Sequence, residues 1–165
     1  MRPITEADIR KSFVNCSKGE AQRISVPREL ADSPWADLDF LGWRDPGAPD
    51  RAYLVAERED GLTAVALRAT AGGGRGFTAR SMCSVCLTTR TAGGVTLMTA
   101  RRRGAAGRQG NSVGQYLCHD LACSYYVRGL RTPPIGPDLD ESLPVDGKIK
   151  RARANLDAFL DKITA

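Results

Sequence analysis

Four of the five cysteines fall into two pairs, Cys83 with Cys86 and Cys118 with Cys123, in the pattern C-x2-C-x31-C-x4-C. A C-x2-C pair suits a tight turn whose amides point at the sulfurs, so one small loop offers two thiolates to a tetrahedral ion, and a second pair closes the site. The second pair constrains the fold around it. Positions five apart on one continuous helix differ by about 140° after a full turn, so Cys118 and Cys123 cannot both face one ion from a single helix. Asp120 is a good N-cap, which predicts Leu121 as the first helical residue, Cys123 in the first turn and Cys118 on a preceding strand end. Gly129 then stops the helix, whose N-terminal dipole favours a thiolate at Cys123. A knuckle, a hairpin and a helix start in this order describe a treble-clef finger, with Zn2+ as a structural ion held by Cys83, Cys86, Cys118 and Cys123.

Two other chemistries compete for these residues. His119 and Cys123 are four apart and share a face if the helix begins earlier, giving a Cys83, Cys86, His119, Cys123 site that wastes Cys118. The Cys83-Ser-Val-Cys86 segment also has the spacing of a redox dithiol, but such motifs open a helix after a βα unit, whereas the segment here is Thr-rich and leads into a strand. Cys16 stands alone as a small core or turn residue. There is one histidine and no recognisable nucleophile motif, and four thiolates leave a metal no open position for water, which argues against an enzyme.

The elements that must position the thiols are legible in outline. Thr5 and Asp8 open a short amphipathic helix ending near Asn15 before an "SKGE" turn, and "AQRISVP" reads as a short strand. The proline-broken stretch from residue 27 to 50 surrounds one apolar run, with Trp35, Leu38, Phe40, Leu41 and Trp43 as core anchors. Strands over 51–58 and 62–69 are joined at Asp60-Gly61 as a hairpin. "GVTLMTARR" and "GQYLC" read as a second hairpin, with "GAAGRQGNS" as its mobile tip. Ile149, Ala152, Leu156, Phe159, Leu160 and Ile163 repeat at helical spacing, which makes residues 148–163 a helix packed back on the domain. The expected fold class is α+β, an antiparallel sheet flanked by N- and C-terminal helices. It forms one domain over 1–165, with the treble-clef module at 80–131 and a linker at 132–147.

Length, composition and charge narrow the function. The 165 residues make one ordinary domain, and 42% hydrophobic with 26% charged residues is a globular composition. No apolar window is long enough for a membrane span and the N-terminus lacks a signal-peptide core, so the cytoplasm is expected, where five cysteines suit metal or redox chemistry better than disulfides. Residues 75–131 hold nine arginines against one acid, Asp120, while the rest of the chain holds 15 basic and 18 acidic side chains. That local basic surface suits an acidic protein face or RNA phosphates. Arg101, Arg102, Arg103 and Arg108, at the hairpin tip, are the candidate partner contacts. Tyr125 and Tyr126 could stack on a base, but on a short helix they more often pack half-buried. The "TAGGGRGF" stretch lacks the Lys-Ser/Thr ending of a phosphate loop.

With "MCSVC", "GQYLCHDLACSYYVRGL" and the upstream "FLGWRDP" in hand, the chain resembles the C-terminal domain of the elongation factor G-binding, FusB-type family associated with fusidic acid resistance, over about residues 2 to 163. The resemblance implies an α/β unit with a four-cysteine treble-clef-like zinc finger, its ligands falling on Cys83, Cys86, Cys118 and Cys123. It also implies binding to elongation factor G, mainly through the zinc-finger domain, with release of the factor from drug-stalled ribosomes and ribosomal RNA nearby. The sequence starts directly with the helix leading into this domain, without the N-terminal helical bundle of two-domain members. Factor binding is therefore expected to survive, and drug protection is not implied. The function expected is that of a non-enzymatic translation-associated protein contacting elongation factor G through the basic finger face, with no membrane and no small-molecule substrate. The alternative is an RNA-binding zinc module acting at the ribosome.

Overall fold

A computed structural model describes residues 1–70, 80–90, 93–132 and 141–165. The β-compatible run after Pro46 folds on itself as β2 (Ala48–Arg58) and β3 (Gly61–Ala69), paired from Arg58↔Gly61 to Arg51↔Arg68. The reversal lies at Glu59-Asp60, one residue earlier than the sequence suggests. Gly61 takes φ +119 just after the turn instead of within it, a conformation that only glycine adopts cheaply. The preceding stretch is more regular than its prolines imply. A 3-10 turn (Trp35–Asp37) leads into β1 (Phe40–Asp45), which pairs antiparallel with β2.

Strands β6 (Val95–Arg101) and β7 (Ser112–Cys118) form the second hairpin and complete a five-stranded sheet of order β1-β2-β3-β6-β7. The expected mobile tip instead contains a short helix, α3 (Gly104–Arg108). Gly107 makes this turn possible: a Cβ there would lie 1.8 Å from the Arg102 carbonyl oxygen.

Alternation along β2 places apolar side chains on both faces of the sheet. Ala52, Leu54 and Ala56 join one core with Val65 and Leu67 of β3 and with Leu156, Phe159, Leu160 and Ile163. Those last four belong to α5 (Val145–Thr164), which covers this face. Tyr53 and Val55 join the other core, with Ile9, Trp35, Leu38 and Trp43. The expected anchors thus enter the cores, with Leu41 only half-buried. The architecture is α+β, an antiparallel sheet between amino-terminal helices and one carboxy-terminal helix.

Three boundaries differ from the sequence reading, each for a local reason. Helix α1 (Glu6–Ser12) has the Thr5/Asp8 capping box but ends before Asn15. Val14 instead bonds to the Ala64 carbonyl, and the Asn15 amide grips the backbone of Ala66 on β3. "SKGE" is not a turn and "AQRISVP" is not a strand, because Ser17 and Glu20 satisfy each other's amides as a second capping box and open α2 (Lys18–Arg23). Helix α5 begins at Val145, three residues before the expected start, since the amide of Lys148 already bonds to the Pro144 carbonyl and Gly147 is absorbed into the first turn. The glycine-rich stretch at 71–77 and most of the expected linker, 133–140, lie outside the described residues.

Candidate metal centre

Each cysteine pair is presented by its own local structure. Strands β4 (Ser81–Met82) and β5 (Thr89–Arg90) pair as a minimal ribbon whose loop carries Cys83 and Cys86. The Cys83 amide bonds to Thr88, the Leu87 amide returns to the Cys83 carbonyl, and Leu87 takes φ +58 to close the loop. The amide of Ser84 bonds to the Tyr116 carbonyl at 2.8 Å, docking the knuckle on β7, and the Asn155 side chain bonds to the Val85 carbonyl at 3.0 Å, docking it on α5.

Cys118 is the last residue of β7, as its spacing requires, and Cys123 is the first residue of α4 (Cys123–Val127). The cap differs from the expected one. Leu121 takes φ +55 and is not helical, and Ala122 occupies the N-cap position. Asp120 still organises the loop: its carboxylate accepts the Ala122 amide at 3.1 Å and the Tyr126 hydroxyl at 2.6 Å. Leu121 in that left-handed conformation sits against β1, where a Cβ on Gly42 would lie 2.6 Å from the Leu121 Cβ. Gly129, at φ +68, ends α4, with its amide on Tyr126 and that of Leu130 on Tyr125.

These elements bring the four sulfurs together, with every pair within 4.8 Å, Cys83 to Cys123 at 3.7 Å and Cys86 to Cys118 at 3.5 Å. A zinc ion at 2.3 Å from four thiolates requires sulfur separations of about 3.8 Å, so the donor set fits. All four residues are buried and none is in a disulfide. Four thiols this close cannot all ionise without a cation. Hydrogen bonds from Cys118 first, then Cys123 and Cys86, hold Cys83 well below the ordinary thiol value, and Cys118 with Cys123 holds Cys86 below it. Cys123 favours the Cys118 anion, but Cys83, Cys86 and burial push Cys118 up, while Cys118, Cys83 and Cys86 push Cys123 up. A dication is what lets every sulfur carry charge at once.

His119 is left outside this group. Its amide bonds to the Gly94 carbonyl at 2.9 Å and its Nδ1 lies 3.0 Å from the Thr96 hydroxyl. Cys16 is remote and half-buried, its thiol pushed up to about 11 by burial and then by Glu20. Tyr126 and Tyr125 are half-buried and each carries an arginine on one ring face: the Arg90 guanidinium lies 3.8 Å from the Tyr126 ring centroid, and that of Arg131 lies 5.1 Å from that of Tyr125.

Two features had weak signals in the sequence. Asp39, its side chain 4% exposed, binds Arg128 at the C-cap of α4 through both carboxylate oxygens (2.6 and 3.1 Å) and Arg153 of α5 at 2.7 Å, while its amide donates to the Ser124 hydroxyl. One acid thus ties the sheet, the finger helix and α5 together, across separations in sequence that no local pattern reveals. The second is the placement of the arginines. Arg101 pairs with Ser112 and Val95 with Cys118, so the arginine tip and the thiols occupy opposite ends of the β6–β7 hairpin, about 20 Å apart at the rise of a strand. Arg101, Arg103 and Arg108 are exposed and Arg102 is half-buried. They lie at the hairpin tip, as the sequence reading has it, and that tip is remote from the thiols.

The model of a protein family, the FBP C-terminal treble-clef zinc-finger, matches residues 8–163. Among curated proteins and solved structures, no match is found.

Proposed function

From a chain that belongs to the FBP C-terminal treble-clef zinc-finger family, we propose a cytoplasmic, non-enzymatic protein that binds elongation factor G and acts on translation, in the manner of the FusB-type proteins linked to fusidic acid resistance. The observation that carries this reading is the family match over residues 8–163. The described residues contain no helix long and apolar enough to cross a membrane.

In this reading Cys83, Cys86, Cys118 and Cys123 hold one structural zinc ion. When bound, the ion supplies charge balance and cross-linking, with its four coordination positions taken by thiolates. The chain's own residues do the rest. The knuckle amides and Asp120 set the two pairs, and Asp39 locks the finger helix to the sheet and to α5.

The finger end is the face we assign to the factor. Met82 and Tyr116, each 46% exposed, and Leu130, 59% exposed, stand beside the ligands or just past the finger helix. Exposed Met and Tyr are the side chains that protein interfaces enrich and that carry their binding energy. The four tip arginines are a second, separate partner surface.

The test is retention of purified elongation factor G by the immobilised zinc-loaded chain at moderate salt. Retention that weakens at least about 30-fold with Tyr116→Ala, the size of an interface hot spot, supports the reading. No retention by the unmodified chain overturns it.

A further inference from the structure

The tip of the β6–β7 hairpin has a composition unlike the finger end. From Arg101 to Ser112 its side chains are four arginines, Gln109, Asn111, Ser112, alanines and glycines, with no acid and no large apolar group. Among the described residues, none of the four arginines forms an ion pair; nine other arginines do, while Arg23, Arg28, Arg44, Arg51 and Arg80, scattered over the chain, do not. One carboxylate feels the tip: Glu20 is held below its ordinary value by its bonds to Ser17 first, with Arg101 contributing. That carboxylate is committed to the Ser17 amide at 2.7 Å.

The tip is also held in place. The Arg102 amide bonds to the Asn111 carbonyl at 2.9 Å, the Arg103 amide to the Ile163 carbonyl of α5 at 2.7 Å, and the Asn15 side chain to the Arg101 carbonyl at 3.1 Å. Its backbone is therefore fixed from three sides while the guanidinium groups reach solvent.

We infer that this tip is a binding surface for the phosphate backbone of RNA, separate from the factor-binding finger end. Protein interfaces set their arginines around a buried apolar or aromatic centre, and the tip offers arginines without one. Phosphate recognition needs arginine forks, amide and hydroxyl side chains and close backbone approach, all of which the tip has. Small residues between the arginines let a strand of nucleotides lie close against the turn. The choice of RNA over DNA rests on the proposed role in translation, whereas the phosphate chemistry does not.

The experiment measures binding of a fluorescein-labelled 20-nucleotide oligouridylate to the zinc-loaded full chain by anisotropy, between 50 and 200 mM salt. Four phosphate contacts give a log–log salt slope of about −3, an affinity loss of about 50-fold over that range. R101Q/R103Q/R108Q should flatten the slope to about −0.7 and keep elongation factor G retention. R101K/R103K/R108K should keep most of the slope, which separates lost charge from lost fold. A slope shallower than about −1 in the unmodified chain, or loss of factor retention in the Gln variant, overturns the inference, the latter in favour of an acidic protein face. The oligouridylate arm reads the tip whether or not the unmodified chain retains the factor, so failure of the factor reading is distinguishable from failure of this one.

Discussion

Replacing Asp39 by alanine removes the carboxylate, one residue before β1, that holds Arg128 at the C-cap of α4 and Arg153 of α5. Its partners are not equally affected. The Arg153 side chain is 57% exposed and can be rehydrated, so its share is that of a surface pair, about 1 kcal/mol or less. The Arg128 side chain is 12% exposed and would remain as a buried charge without a counter-ion. Breaking such a pair from one side costs about 3 to 5 kcal/mol, and residual solvent access at Arg128 favours the lower end. A loss of about 3 kcal/mol lowers the melting temperature of a domain this size by about 6 to 12 °C. Circular dichroism melts and denaturant titrations of zinc-loaded Asp39→Ala, Arg128→Met and the double variant measure it. The double variant should recover much of the loss, because the orphaned charge goes too. The pH dependence has a definite sign. Burial pushes the Asp39 carboxyl up, but Arg128 and Arg153 together hold it below the ordinary value of 3.8. Its contribution is therefore complete above that value and lost as pH falls through the lower folded-state value, and Asp39→Asn should lack this acid-sensitive component. A cost below about 1 kcal/mol for Asp39→Ala, the range of surface pairs, would refute the account of Asp39 as the latch.

The same contacts generate further expectations. Gly42→Val should cost about 1 to 3 kcal/mol, since its side chain would collide with Leu121 held at φ +55; thermal melts check this. Leu160→Ala should cost about 2 to 5 kcal/mol and also speed zinc transfer to a chromogenic chelator, because Leu160 and the four thiols share one core. A single cooperative transition lost on zinc removal, followed by amide exchange across α5 as well as the finger, would show that coupling; protection of α5 in the zinc-free chain would contradict it. In thiol titration of the native zinc form at neutral pH, no thiol should react fast. Cys16 is pushed up to about 11, so its alkylation rate should climb until pH approaches that value, and denaturant with chelator should release all five thiols.

The spacing of the thiols carried most of the site. The C-x4-C spacing of Cys118 and Cys123 forced a strand end and a helix start, and this is how the chain is built. The hairpin of β2 and β3 and the apolar face of α5 were legible for the same reason: period and turn chemistry are local. What was missed depends on contacts distant in sequence or on competition between local signals. Ser17 and Glu20 make a capping box inside a stretch that also reads as turn and strand. Leu121 adopts a left-handed conformation unusual for leucine because Asp120 and Gly42 fix it from two sides. The arginines cluster with the cysteines in sequence, yet the length of β7, from Ser112 to Cys118, carries them to the far end of the hairpin. Charge counted along the chain could not show that.

The central claim is that Cys83, Cys86, Cys118 and Cys123 form a closed four-thiolate site around zinc. Metal analysis of protein purified from reducing cells, with native mass spectrometry of the same sample, tests it most directly. The account predicts one zinc per chain, abolished in Cys83→Ser and in Cys123→Ser and retained in His119→Ala. Less than about half a zinc per chain, against the full occupancy a buried four-thiolate site holds, or loss of the metal in His119→Ala, would contradict it.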